Sequence, residues 1–237
     1  MAGELTEREV LRVAESQYSR GDMEIPFVPA HTAVVVVDMI DEFVRPGWSP
    51  FWIPDATRQA PRIRQTIDKA RRRGCLVVHL AYDVRPDLQG LNFPRTEFLV
   101  PIGSLAEGHD DLFHAVSFWH ELTPAPEDVV VLKHCYSGFH QTPLDSVLRN
   151  RDIETVAITG TMTNYCCGAT AREAFWHGYA VAMVEDCCST DSAAMQAAEI
   201  ATLRRGYAKI ITAATLLERL ASAASGDPTT KEATRQA

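Results

Sequence analysis

Apolar runs of strand length alternate along this chain with amphipathic helical stretches, and that alternation leaves few folds open. The clearest run is Thr32 to Val37, rich in β-branched residues and ending at Asp38. It shows no polar-apolar alternation, so it reads as a strand buried on both faces. Comparable runs span Cys75 to Tyr82, Asp128 to Leu132, Glu154 to Gly160, Tyr179 to Val184 and Ala208 to Ile211. Helical patterns fall between them: residues 57–73, stopped by Gly74; a helix opened by Thr142 and Pro143; Thr163 to Phe175; residues 191–204; and residues 213–222. Thr142 followed by Pro143 is a capping residue with proline at the first helical position. Strand and helix in repeated alternation predict parallel β/α/β units and an α/β fold whose sheet is covered on both faces.

At 237 residues and 46% hydrophobic, the chain suits one large domain with a substantial core. Residues 31–222 form its body. Residues 1–30 are a leading arm whose positions 5–19 read as an amphipathic helix, suited to packing on the body or on a second subunit. Residues 223–237 are small and polar and read as a frayed tail. Residues 83–126 carry five prolines and many aromatics with no clear period, and an irregular stretch of that length inside a compact domain reads as a pocket wall.

A net charge of −8 argues against nucleic acid and anionic membrane as partners, since both call for basic surface. A small-molecule substrate is the expected partner. Arg71-Arg72-Arg73 lies late in a helical pattern and reads as a solvated face. The six cysteines, at 75, 135, 166, 167, 187 and 188, show no CxxC spacing and no disulfide framework. The N-terminus is charged and no apolar run approaches a membrane span, so a reducing cytoplasm is the expected location.

Ligand sites in open α/β sheets gather beyond the carboxyl ends of strands. Three chemically apt residues occupy that position: Asp38 after the first strand, Lys133 after the third, and Cys166 just past the fourth. The first turn of a helix carries roughly half a positive charge and unpaired N–H groups, which favour a thiolate at Cys166. A carboxylate within reach takes the thiol proton and later returns it to a departing amine. A lysine keeps that carboxylate ionised and oriented. Other readings stay open at this point: Cys166 as a small core residue, Asp38 as a turn cap, and Lys133 as an exposed ion-pair partner. Lys133 closes the apolar run Val129 to Leu132, however, and a strand buried on both faces is an unusual place for a solvated cation. A cysteine–histidine dyad fits less well, because His177 lies eleven residues along the same helix, about 16 Å away. His134 and His140 remain pocket candidates. Cys167 shares a helical face with Thr170 and Ala174 that suits packing on the sheet, which leaves Cys166 and Tyr165 looking outward. Cys187 and Cys188 follow the next strand and read as packing residues.

Assembled, these segments resemble the isochorismatase-like cysteine hydrolases over roughly residues 30–220. Val37-Asp38-Met39-Ile40-Asp41-Glu42-Phe43 is similar to that family's first-strand motif, with Ile40 where Gln is common and Glu42 at a usually acidic position. The segment from Lys133 through Ser137, Phe139 and Thr142 to Leu144 resembles its lysine motif. Gly160 to Ala174, with Thr163, Cys166, Thr170 and Arg172, resembles its nucleophile motif. The resemblance implies a Rossmann-like three-layer α/β/α fold on a six-stranded parallel sheet. It implies a catalytic triad of Asp38, Lys133 and Cys166, a cis peptide between Thr161 and Met162, and an oxyanion hole from the N–H groups of Met162 and Cys166. Phe43, Trp119, Tyr136 and Tyr165 are the expected substrate-binding residues, with Trp48, Trp52 and Tyr82 as further wall candidates. Arg85 and Arg95 are candidates for holding a substrate carboxylate.

Metal-dependent nicotinamidases of that family carry Asp-x-His after the second strand, whereas Tyr82-Asp83-Val84-Arg85-Pro86 lacks the spacing. No metal and no cofactor are therefore expected. Vinyl ether hydrolysis of the isochorismatase type needs no thiol, so Cys166 favours acyl transfer. The resulting expectation is an amidohydrolase that cleaves a non-peptide C–N bond of a small amide, ureide or carbamoyl compound through a thioester, as a homodimer or homotetramer. The alternatives are an isochorismatase-type ether hydrolase, a nicotinamidase-like amidase, and a non-catalytic binding protein on the same fold.

Overall fold

The computed structural model describes residues 5–11, 24–83, 112, 113 and 115–224. Six parallel strands form one sheet: β1 (Thr32–Val37), β2 (Leu76–Tyr82), β3 (Val129–Lys133), β4 (Thr155–Thr161), β5 (Ala180–Ser189) and β6 (Lys209–Ile211), in the order β3-β2-β1-β4-β5-β6. The chain winds outward from β1 to β3, returns to lay β4 beside β1, and winds outward the other way. The connections therefore diverge at the β1/β4 boundary, where doubly wound sheets open a crevice.

The helices are α1 (Asp41–Val44), α2 (Pro54–Arg72), α3 (Leu144–Arg149), α4 (Gly168–Trp176), α5 (Ala193–Gly206) and α6 (Ala213–Ala224). Successive strand residues point to opposite faces, and the core divides accordingly. Val34, Val36, Val77 and Ala81 pack under α2 and α6, whereas Ala33, Val35, Val78 and Leu80 pack under α3, α4 and Leu203 of α5. Both faces of β1 are buried along its whole length, as its unbroken apolar run requires.

Boundaries differ from the sequence reading where capping rules act. Helix α2 starts at Pro54, three residues early, with proline in the first turn. Helix α3 starts at Leu144, but the Thr142 hydroxyl still accepts the Leu144 N–H at 3.2 Å. Strand β5 runs on to Ser189, so Cys187 and Cys188 lie within it, one in each core face. Strand β3 is an edge strand with Val130 45% exposed. The expectation that it is buried on both faces is therefore wrong. Residues 7–11 are helical, with a reciprocal Thr6–Glu9 capping box. Leu5, Val10 and Leu11 are exposed there, and the rest of the expected arm helix, like the tail from residue 225, falls outside the described residues. Among the described residues no helix is long and apolar enough to cross a membrane.

Arg71 corrects the reading of the basic run. It turns inward and is bound at 2.7 Å to both Asp68 and Asp128. Asp128 also meets buried His79 at 3.2 Å and accepts the Ala125 N–H. Burial alone would raise the Asp128 carboxyl, but the His79 and Arg71 contacts outweigh it and hold it well below the usual carboxylate range. A depressed carboxyl contributes stability above its unfolded value of about 3.9, and that contribution fades as pH falls toward the folded value. Asp128→Asn is expected to lower unfolding free energy by about 2–3 kcal/mol at pH 7, below the fully buried case because Arg71 keeps some solvent contact. The gap from the parent should begin to narrow near pH 4 and shrink progressively as pH falls further. Urea unfolding across that range is the check, and a pH-independent gap would remove the ion-pair explanation.

Gly160 fixes the approach of β4 to β1. Its φ is +113°, and a Cβ there would lie 2.1 Å from the Val37 carbonyl oxygen and 2.7 Å from the Val37 nitrogen. Neither contact is with a side chain that can swing away. Gly160→Ala is expected to cost on the order of 3–5 kcal/mol from strain and overlap together, read as the shift of the urea midpoint. A change under 1 kcal/mol would contradict this packing.

Candidate active site

Each residue that reaches the crevice does so for a local reason. Asp38 follows β1 directly and has φ +50°, a left-handed conformation that Asp tolerates better than most residues. Its N–H still bonds the Leu80 carbonyl, so the turn is anchored to β2. Lys133 is the last residue of β3, two strands away from β1, a separation of roughly 10 Å. Its four-carbon stem crosses the end of β2, with Nζ 5.0 Å from the Tyr82 ring centroid. Beyond β4, the Thr161–Met162 peptide is cis, and Thr163–Cys167 form a single π-helical turn closed by Cys167 N–H to the Met162 carbonyl.

The structure brings the three rim residues together. Lys133 Nζ lies 2.8 Å from Asp38 Oδ2, 3.3 Å from Cys166 Sγ and 3.1 Å from the Cys135 carbonyl oxygen. Three acceptors thus meet the three donors of one ammonium. Lys133 and Asp38 are both fully buried. The Cys135 carbonyl was not anticipated, because a backbone acceptor leaves no signal in the residue types.

The wider π turn changes one expectation. Adjacent side chains on it diverge less than on an α-helix, so Cys166 and Cys167 both turn inward, at 5% and 0% exposure, while Tyr165 faces out at 41%. Cys166 is therefore not outward-looking, and it precedes α4 instead of lying in its first α-helical turn. Nor does the resting thiol become a thiolate by helix position: burial first, then the Asp38 charge, push it well above its ordinary value, with Lys133 opposing. Burial would lower Lys133, but Asp38 and Cys166 more than reverse that and raise it. These shifts favour the neutral thiol of Cys166 beside the Lys133–Asp38 contact.

The expected pocket residues divide into two groups. Tyr136 and Tyr165 face each other with ring centroids 5.2 Å apart, and Tyr165 adjoins Cys166 in the chain. Burial and the adjacent Cys166 raise the Tyr136 hydroxyl. Phe43 is a core residue instead, reaching the site through a relay of rings: Phe43 to Phe113 at 5.3 Å, and Phe113 to Tyr82 at 5.2 Å. Trp119 is tied to the site by its N–H, which bonds the Met39 carbonyl next to Asp38, and its buried indole N–H has no partner among the described residues. Trp48 lies under Arg45, and Trp52 donates to Thr57, both in the α1–α2 connection. Arg85 and Arg95 fall outside the described residues. Glu42 is buried and raised by burial, with Oε1 accepting the Phe113 N–H. Among the described residues no group of three or more His, Cys, Asp or Glu is placed to hold a metal ion.

Comparison with known proteins gives one consistent answer. A family model described as the isochorismatase domain matches residues 32–215. The ureidoacrylate amidohydrolase RutB of Cronobacter sakazakii is 31% identical over a 177-residue alignment that covers 68% of this chain and 76% of that protein. The crystal structure of a cysteine hydrolase from Pseudomonas syringae pv. phaseolicola superposes with a TM-score of 0.73 at 31% identity, over 85% of this chain and all of that one. N-carbamoylsarcosine amidase from Thermoplasma acidophilum superposes with a TM-score of 0.62 at 27% identity, over 77% of this chain and 96% of that one.

Proposed function

Because the chain belongs to the isochorismatase-like hydrolases, in their amidohydrolase branch, we propose that it cleaves the C–N bond of a small carbamoyl, ureido or carboxamide compound through a thioester on Cys166. The observation that carries this reading is Lys133 Nζ in simultaneous contact with Asp38 Oδ2 and Cys166 Sγ. The carbamoyl preference comes from two relatives whose names specify ureido and carbamoyl substrates.

Asp38 takes the thiol proton as the sulfur attacks the substrate carbonyl carbon. The carbonyl electron pair moves to oxygen, and the N–H groups of Met162 and Cys166 receive the resulting oxyanion, a role worth about 3 kcal/mol per donor. Collapse of this intermediate breaks the C–N bond, and Asp38 returns its proton to the departing nitrogen, which leaves as ammonia or an amine. Water, losing a proton to Asp38, then attacks the thioester. The C–S bond breaks and the proton returns to sulfur. Keeping the resting thiol neutral suits this sequence, because proton transfer and attack then occur together on bound substrate. Tyr136 and Tyr165, whose rings meet next to Cys166, are the side chains expected to contact the substrate.

The test is ammonia release over a panel of ureides, carbamoyl amino acids and short amides, with the Cys166→Ala protein as control. Release from at least one carbamoyl or ureido compound that disappears in the control supports the assignment. Equal release by both proteins, or turnover confined to vinyl ethers, removes it.

A further inference from the structure

A polar cleft opens at the carboxyl end of β5, between the start of α2 and the start of α5, with a volume of about 410 Å³. None of Asp38, Lys133 or Cys166 lines it. Its inner wall is set by one carbonyl. The side-chain nitrogens of Gln59 and Gln196 both donate to the Cys188 oxygen, at 3.3 and 3.1 Å. Turning either amide over would set oxygen against oxygen, so both amides are fixed with Nε2 on the carbonyl. Their Oε1 atoms, buried and without partners among the described residues, can act only as acceptors. Ser189 lines the same cleft, is 3% exposed, and its Oγ likewise has no partner among the described residues.

Asp55 and Glu185 border the cleft; Asp55 is paired with Arg58 one turn along α2, and among the described residues no Lys, Arg or His is in the lining. Its outer wall is apolar, formed by Ala193, Ala197 and Ile200. Buried acceptors at one end, acidic groups beside them and an aliphatic wall at the other end select a ligand with an N–H-rich cationic head and a short hydrocarbon body. The geometry points to this cleft as a binding site for a small primary amine or alkylguanidinium, separate from the thiol pocket.

The cleft touches the proposed chemistry through the sheet. Ser189 pairs with Thr161, whose hydroxyl donates to the Ser189 carbonyl at 3.1 Å, and Thr161 immediately precedes Met162. Binding is nonetheless a separate claim and is tested without turnover. Calorimetric titration of the intact protein with n-butylamine at pH 7 should give saturable binding. Tetramethylammonium, which has the charge but no N–H, and n-butanol, which has the chain but no charge, should give none. Gln196→Met and Ser189→Ala are each expected to weaken butylamine at least tenfold, the usual scale for hydrogen bonds to a charged group. Ala193→Trp fills the cleft from an exposed position and should abolish binding with the unfolding midpoint unchanged, so loss of fold cannot explain the result. Cys166→Ala should bind as the parent does. Equal binding of butylamine and tetramethylammonium, or binding lost in Cys166→Ala and retained in Gln196→Met, would overturn the proposal.

Discussion

Cys166→Ala is expected to lose at least about 10⁴-fold in turnover on whichever amide the parent hydrolyses, the scale seen when an essential nucleophile is removed. Folding should be nearly unaffected, since the lost sulfur leaves a small cavity beside the ion pair and not a missing charge. Cys166→Ser should be almost as inactive, because a hydroxyl in this position has the same buried surroundings and a much weaker tendency to ionise. The pH behaviour of the thiol is a finer check on the same claim. Burial and Asp38 raise it well above the ordinary thiol value while Lys133 only partly offsets them. Alkylation of Cys166 by iodoacetamide should therefore be slow at pH 7 and still climbing above the ordinary thiol value of about 8.5. A rate that levels off near neutrality would mean a resting thiolate, and Asp38 would then have no proton to take.

The parts of this molecule that were readable in advance are those governed by periodicity. The unbroken apolar run of β1 could only be a strand with both faces covered, and the strand-helix alternation could only build a parallel sheet. Each rim residue follows from that, because a residue just past a strand must lie at the carboxyl edge. What periodicity does not carry is local geometry. The π turn at Thr163–Cys167 obeys no residue preference that separates it from the first turn of an α-helix. The burial of Cys166 alongside Cys167 is consequently not legible in the residue types. Lys133 was placed at the rim by a partly mistaken argument. Its strand is an edge strand with Val130 in solvent, and the Lys133 stem runs across the paired β2 residue Tyr82 to set its ammonium against Asp38 and Cys166. Arg71 was missed for a similar reason: a helix pattern shows which face an arginine leaves from, but not that Asp128 waits across the β3 start. The Phe43–Phe113–Tyr82 relay and the Gln59–Gln196 pair depend on contacts between residues far apart in the chain, which one sequence does not record.

Lys133 gives the second large effect, and it separates stability from catalysis. Lys133→Met keeps the volume but leaves the Asp38 carboxylate fully buried without its counter-ion. Breaking such a pair from one side costs about 3–5 kcal/mol, and turnover should fall by at least about 10³-fold, because the carboxylate that handles the proton is no longer held beside the sulfur. Asp38→Asn should destabilise less, since Lys133 retains the Cys166 sulfur and the Cys135 carbonyl, while turnover falls at least as far. Combining the two changes removes both charges at once, and neutral groups of similar volume can replace a buried ion pair at little cost. The double variant should therefore recover most of the stability lost in Lys133→Met, a coupling of about 2 kcal/mol or more, and none of the activity. The pH dependence follows from the raised lysine. A group raised on folding contributes fully below its unfolded value of about 10.4 and fades only as pH climbs past that toward the folded value. The gap between parent and Lys133→Met should accordingly stay flat from pH 7 to pH 10. Urea unfolding of the four proteins, read alongside ammonia release, tests each arm. If Lys133→Met were as stable as the parent, or kept turnover within tenfold, an ammonium bridging acid and sulfur could not be what organises this crevice.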